Sequence, residues 1–220
     1  MTACRNPNLQ LRGELTRRQL LAVVVLSAAT TAPGAMPSAC AEAPRGVSAT
    51  DDLHASVEGV LHVLRDPRLA GSDKKGDRQA ALRKVMERTI DFPDAARRAL
   101  AVHWAARTPA ERDEFIGLFR ELVLASYAAQ LDGYRVDRVI FVSEVADDDA
   151  VTVHTRVEAA QRAPVAIDYR LHRRNARWLV YDVLVEGVSL VANYRAQFNS
   201  VIRTKSYSEL IRRMKAQVEG

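Results

Sequence analysis

Cysteine is almost absent from this chain of 220 residues: there are two, Cys4 and Cys40. Both stand ahead of the bulk of the sequence, so the remainder must fold without a disulfide. A domain of this size buries enough apolar surface to do so. Metal-ligand spacing is missing as well. The five histidines, His54, His62, His103, His154 and His172, form no H-x-x-x-H or H-E-x-x-H group, the spacing that sets two imidazoles on one helix face. Each is expected at the surface or at the edge of the core. There is no G-x-S-x-G, and Gly187-Val188-Ser189-Leu190 does not make a nucleophile elbow. No glycine-rich phosphate loop occurs. The Asp147-Asp148-Asp149 run lacks the alternating ligand spacing of a calcium loop and is expected to be a solvated hairpin turn.

Charge of one sign is also in short supply. The formal excess is +5, and most of it sits in residues 1–41, where Arg5, Arg12, Arg17 and Arg18 face only Glu14. The rest is nearly balanced. Nucleic acid, which calls for a concentrated basic face, is therefore not an expected partner.

What is present begins with an address. Leu20–Ala29 is a short apolar run behind Arg17-Arg18, too short for the ~20 residues of a membrane-spanning helix. A positive flank, an apolar centre and small residues after it read as a signal peptide over 1–41, with cleavage after Ala41. Thr16–Leu21 has the form of a twin-arginine signal, which implies export in the folded state; an ordinary export signal is the alternative. A lipoprotein acceptor at Cys40 is a weaker fit, because Pro37 stands where such signals usually carry leucine. Residues 42–220 are expected to form one domain.

Helical periodicity fills the first half of that domain. Leu53, Val57, Val60, Leu61 and Leu64 form one stripe, with Ser48 or Thr50 as its cap and Asp66-Pro67 as its end. Asp77–Ile90 is a second helix. Asp91-Phe92-Pro93 breaks it, since proline disfavours helix at the residue before it, and Pro93 opens a third. Thr108-Pro109-Ala110-Glu111 is a capping box opening a long helix to about Leu131, with Phe115, Leu118, Phe119, Leu122, Val123, Ser126, Tyr127 and Gln130 inward. The period then becomes two. Strands are expected at Tyr134–Val145, with a bulge near Val139–Val142, then at Ala150–Glu158, at Pro164–His172 and from Arg177. The last of these alternates Leu179, Tyr181, Val183 and Val185 against Trp178, Val180, Asp182 and Leu184. Glu186-Gly187 breaks it, and Val191, Tyr194, Phe198 and Val201 resume helical spacing. A final helix, Ser206–Gln217, buries Leu210, Ile211 and Met214. Helices, then a meander, then helices predict an α+β fold: helices packed on a twisted four-stranded antiparallel sheet.

Chemistry has one weak candidate. Asp168 and Asp182 fall on neighbouring strands and offer paired carboxylates for acid–base work; surface positions, or a pair with Arg195, are the alternative. Arg195 is expected to meet Asp168 or Asp182, or else to stand at a pocket mouth. What remains is apolar surface, and a cavity wall and a solid core share one pattern.

Three groups of residues carry a resemblance. Asp91-Phe92 is followed by Trp104. Glu111, Phe115, Phe119, Leu122, Val123 and Tyr127 repeat along one helix. Asp168-Tyr169-x-Leu171 precedes the run W-x-V-Y-D-V-x-V-E-G-V-S-L-V-x-N-Y-R-x-Q-F, which begins at Trp178. Together, over roughly Asp52–Gln217, they resemble the MlaC-like family of periplasmic phospholipid-binding proteins, also called toluene-tolerance auxiliary proteins. The resemblance implies helices on a strongly curved sheet, enclosing an apolar pocket that holds acyl chains and leaves the head group toward solvent. It implies a periplasmic shuttle that keeps the outer membrane's lipid asymmetry. Its partners would be an inner-membrane lipid ABC transporter complex and an outer-membrane lipoprotein complex. It supplies no catalytic residues and no cofactor. The leader and the drift at Leu100–Trp104 also suit a sister branch associated with hopanoid biosynthesis. The pocket wall is then expected to include Phe115, Phe119, Leu122, Tyr127, Val153, Ile167, Tyr169, Val188, Tyr194 and Phe198, with plain core packing as the alternative for each. Burial recovers about 0.8 kcal/mol per CH₂, so two ordinary chains favour an enclosed site by something on the order of 20 kcal/mol gross. A small enzyme using Asp168 or Asp182, and an adaptor domain with a solid core, are the competing classes.

Overall fold

A computed structural model describes residues 48–132, 136–159 and 163–219. The expected leader and its cleavage site lie outside them, as does Tyr134, the expected start of the first strand. Among the described residues there are six α-helices: α1 (Ala49–Arg65), α2 (Lys75–Thr89), α3 (Phe92–Leu100), α4 (Pro109–Asp132), α5 (Leu190–Thr204) and α6 (Tyr207–Glu219). Between α4 and α5 run five strands: β1 (Arg138–Asp147), β2 (Ala150–Glu158), β3 (Val165–Arg174), β4 (Arg177–Val185) and the two-residue β5 (Val188–Ser189). The fold is α+β, with the strands in sequence order across one antiparallel sheet. The fifth strand is the one element beyond the expected four. No helix among the described residues is long and apolar enough to cross a membrane.

Several helix starts follow side-chain chemistry, that of α2 being the exception without a side-chain cap. Ser48 caps α1 through a reciprocal box with Asp51. Asp91 caps α3 by accepting from the Asp94 amide. At α4, Glu111 Oε2 accepts from the Thr108 amide at 2.8 Å while the Glu111 amide donates to Thr108 Oγ1 at 3.3 Å. The 24 residues of α4 extend about 36 Å.

The hairpins are tight. Asp147 pairs with Ala150, Arg174 with Arg177 and Val185 with Val188, leaving two residues in each loop. The first loop residue has positive φ in all three: Asp148, Asn175 and Glu186. Asp and Asn tolerate that conformation. Gly187 follows Glu186 at φ 77°, and two successive positive φ values suit a hairpin turn that needs glycine. The β3–β4 turn therefore falls at Asn175-Ala176, and β3 runs past its expected end at His172, with Arg173 and Arg174 still paired.

Two bulges bend the sheet. Val142 is skipped between the Phe141–Thr155 and Ser143–His154 pairs, where the alternation of β1 was expected to shift. Tyr181 is skipped between Arg170–Asp182 and Leu171–Val180. This second bulge corrects the simple alternation expected for β4. Trp178, Val180 and Val183 all join one apolar cluster, which strict period two forbids; the extra residue resets the phase. β1 ends the sheet on one side. On the other, β5 and a parallel bridge from Ile90 to Val180 lie along β4.

Two apolar clusters fill the interior. One is helical and draws on α2 to α6 with Val63 of α1. The other sets Ala49, Leu53, Val57 and Leu61 of α1 on Val151, Val153, Leu171 and Val180 of the sheet. Polar ties hold α1 there. Asp52 Oδ2 accepts from the Trp178 amide at 2.8 Å, Glu144 Oε2 accepts from the Thr50 amide at 3.0 Å, and Arg65 donates to the Asp137 carbonyl at 2.8 Å.

Candidate functional site

The long helix α4 packs chiefly on α2, α3 and α6, whereas α1, α3 and α5 are the helices that lie closest to strands. Its inward stripe meets α5 through rings. Phe115 lies edge-on to Phe198 at 5.6 Å, and Phe119 lies edge-on to Tyr194 at 5.3 Å and to Phe198 at 6.1 Å. Edge-to-face pairs of this kind add to the burial energy. Phe115, Phe119, Leu122, Tyr194 and Phe198 are all buried in this cluster, and Tyr127 adjoins it half-buried. Six of the ten expected wall residues are thus brought together.

The other four lie on the sheet. Val153 is fully buried, and Tyr169 stands opposite it on β3 and is half-buried. Ile167 is half-buried and pairs with Thr155 on one side and Val185 on the other. Val185 pairs in turn with Val188, which is 46% exposed. These residues form two rows across the strands, one through Val153, Tyr169 and Val183, the next through Thr155, Ile167, Val185 and Val188.

Both clusters have fringes of half-buried apolar side chains. Val123, Tyr127 and Leu131 form one on the last turns of α4; Val139, Tyr169 and Val183 form one on the sheet. The tyrosine hydroxyls there sit in apolar surroundings. Burial pushes the Tyr169 hydroxyl up to about 12. Burial, with the neighbouring Tyr194, raises that of Tyr127. Burial also raises that of Tyr194, against a smaller lowering by Ser126 and Tyr127.

The carboxylates are committed to structure. Asp182 is buried; its Oδ2 accepts from Ser189 Oγ at 2.7 Å and faces Arg170 Nη1 at 3.4 Å, and its Oδ1 accepts from the Val191 amide at 3.1 Å. It therefore ties β4 to the start of α5. Asp168 meets His154 Nδ1 at 2.8 Å. The two aspartates lie on neighbouring strands, but Asp168 stands opposite Leu184 and Asp182 opposite Arg170. Arg195 meets neither, contrary to expectation. It is exposed and donates to the Arg98 carbonyl at 3.0 Å, because Asp182 is already taken by the helix start.

A polar knot escaped the sequence reading. Asp91 and Asp94 are both buried at the start of α3. Asp91 Oδ2 is 2.8 Å from His172 Nε2 and 2.8 Å from Arg174 Nε. Asp94 takes Arg97 and Arg98, and Arg98 lies 4.0 Å over the Tyr181 ring. Burial alone would raise both carboxyls, but their hydrogen bonds and arginine partners hold them below 3.8. The signal was the aspartate before Phe92-Pro93, read there as a break rather than as a cap with charged neighbours.

These features define an α+β domain with an aromatic and aliphatic interior and with its buried acids engaged in caps and ion pairs. The chain belongs to the MlaC protein family, whose model matches residues 54–216. A relative from Haemophilus influenzae, the intermembrane phospholipid transport system binding protein MlaC, is 24% identical over 130 residues, covering 57% of this chain and 61% of that protein. The match thus spans less than two thirds of that relative's length. A solved structure from Ralstonia solanacearum, a phospholipid-binding protein in complex with a phospholipid, is similar with a TM-score of 0.68 and 25% identity, over 79% of this chain and 98% of that one.

Proposed function

We propose that this protein is a periplasmic lipid carrier. It takes the acyl chains of a phospholipid between the fringe of α4 and the fringe of the sheet, and shuttles the lipid between outer and inner membranes to maintain outer-membrane asymmetry. The observation that carries this reading is the division of the interior. The apolar residues form two clusters, each edged by half-buried side chains, and α4 packs on helices rather than on the sheet. An interior so divided suits a guest that completes it. Family membership and the phospholipid-binding relatives support the same reading. The leader over 1–41 directs export. An inner-membrane lipid ABC transporter complex and an outer-membrane lipoprotein complex are the proposed exchange partners, since release of buried chains into water is very slow without help. No catalytic step is proposed, and no cofactor is needed.

The test is lipid mass spectrometry on the mature protein purified without detergent from the envelope of its host. A stoichiometric diacyl phospholipid is expected. A hopanoid in its place would keep the carrier class and change the cargo. A stable, monodisperse, lipid-free protein would overturn the proposal. Asp182→Asn, if folded, is expected to keep its cargo.

A further inference from the structure

Among the described residues, four buried side chains hold a polar atom with no hydrogen-bond partner: Arg107 Nε, the Tyr194 hydroxyl, Gln197 Oε1 and Gln217 Oε1. Arg107 and Gln197 satisfy another atom of the same group, with Glu111 and Asn193 respectively. Tyr194 has one polar atom, and it is left over, on a residue only 3% exposed. Burying a hydroxyl without a partner is costly, and phenylalanine would fill the same space.

The hydroxyl's position is fixed. Tyr194 lies on the second turn of α5, whose start is bound to β4 through Asp182. Its ring is held between Phe119 at 5.3 Å and Phe198 at 5.5 Å. The hydroxyl reaches toward Ser126 and Tyr127 on α4, near enough for each to act on its ionisation, while making no hydrogen bond in the structure. On this part of α4, half-buried Val123, Tyr127 and Leu131 alternate with fully buried Leu122, Leu124 and Ala128. The hydroxyls therefore stand among apolar side chains, some fully buried and some half-buried.

A diacyl lipid carries acceptors of the kind such a hydroxyl lacks, set directly beside its apolar chains. Its ester carbonyls lie between the chains and the head group, and they only accept hydrogen bonds. Resting on the carrier reading above, we propose that Tyr194, assisted by Tyr127, is the polar anchor of the pocket and donates its hydroxyl proton to an ester carbonyl of the bound glycerolipid. The anchor sets how deep the lipid sits and selects ester-linked over ether-linked chains.

The test offers lipid-stripped full-length protein equal amounts of two vesicle lipids, diacyl and dialkyl phosphatidylethanolamine of the same chain length. Bound lipid is counted by mass spectrometry after re-isolation. Wild type is expected to favour the ester by about 3- to 10-fold, the range of one net hydrogen bond. Tyr194→Phe is expected to bring the ratio near one while still loading lipid, and Tyr127→Phe to lower it part way. Tyr207→Phe, whose hydroxyl instead donates to the Glu111 carbonyl, is expected to keep the wild-type ratio. A wild-type ratio near one, or an unchanged preference in a folded Tyr194→Phe protein, would overturn the anchor and leave the carrier reading standing. If Tyr194→Phe does not fold, an unchanged ratio in Tyr127→Phe overturns it. Wild type that loads neither lipid would overturn the carrier reading, and the anchor with it.

Discussion

On the helical side, Phe115, Phe119 and Phe198 are at or near zero exposure and lock into one another ring to ring. Across the sheet, Val153 and Leu171 are equally buried, but their neighbours Ile167, Tyr169 and Val183 are only half so. Both regions draw on the same kinds of residue. The difference lies in what stands opposite. Each helical ring meets another ring of the same chain, whereas α1 covers the sheet around Val151, Val153, Leu171 and Val180 and leaves the next rows partly open. The first region is packed on itself ring against ring, with the Tyr194 hydroxyl as its unpaired polar atom. The second is a surface that the proposed guest would complete.

That contrast can be broken most directly at Phe119. Phe119→Ala removes a fully buried ring from the centre of the aromatic cluster and is expected to cost about 3–5 kcal/mol, read as a fall in the urea midpoint. A loss under about 1 kcal/mol would mean that the helical side is loosely packed. The polar knot gives the next effect. Asp91 and Asp94 are held below 3.8 in the folded chain, so the unfolded chain takes up protons first. Their stabilisation is full above about pH 5 and is lost as pH falls through 4 and below. The urea midpoint is expected to follow that course, and Asp91→Asn to flatten it while lowering the midpoint at pH 7. On the sheet, Ile167→Ala is expected to cost about 1 kcal/mol in lipid-stripped protein and more in loaded protein, because the guest supplies the missing neighbour. Equal costs in the two states would remove Ile167 from the wall. The smallest change is Val188→Ser, exposed on β5 and expected to stay within about 0.5 kcal/mol.

Much of the fold was legible in the sequence, because periodicity reports which side chains share a face, but not which region is filled and which is open. The capping box at Thr108, the stripe from Phe115 to Tyr127 and the hairpin at Glu186-Gly187 each combine two local signals that agree. Tyr181 marks where such reading stops. Around it apolar residues occupy both faces of β4, so the bulge there, unlike the one in β1, leaves no visible shift in the alternation; Val180 and Val183 were assigned opposite faces and share a cluster. Arg195 marks another limit. Its expected partners were Asp168 or Asp182, but His154 meets the first and the Val191 amide and Ser189 hydroxyl take the second, and competition for a carboxylate is settled in space rather than along the chain. The list of wall residues was drawn from shared faces and the family resemblance, which brings Phe119 and Tyr194 together but gives no measure of the exposure of Val188.

The two margins of the sheet are finished differently. Beside β4, the chain supplies its own cover in β5 and the Ile90 bridge. Beside β1 no further strand pairs among the described residues, but Val142 is pushed out of the ladder there, and Glu144, Asp147 and Asp148 follow it with like charge. A kinked, acidic margin is a poor template for a second copy of itself. Edge-to-edge pairing of two copies through β1 is thereby disfavoured, and with it the fibre growth that such pairing would begin.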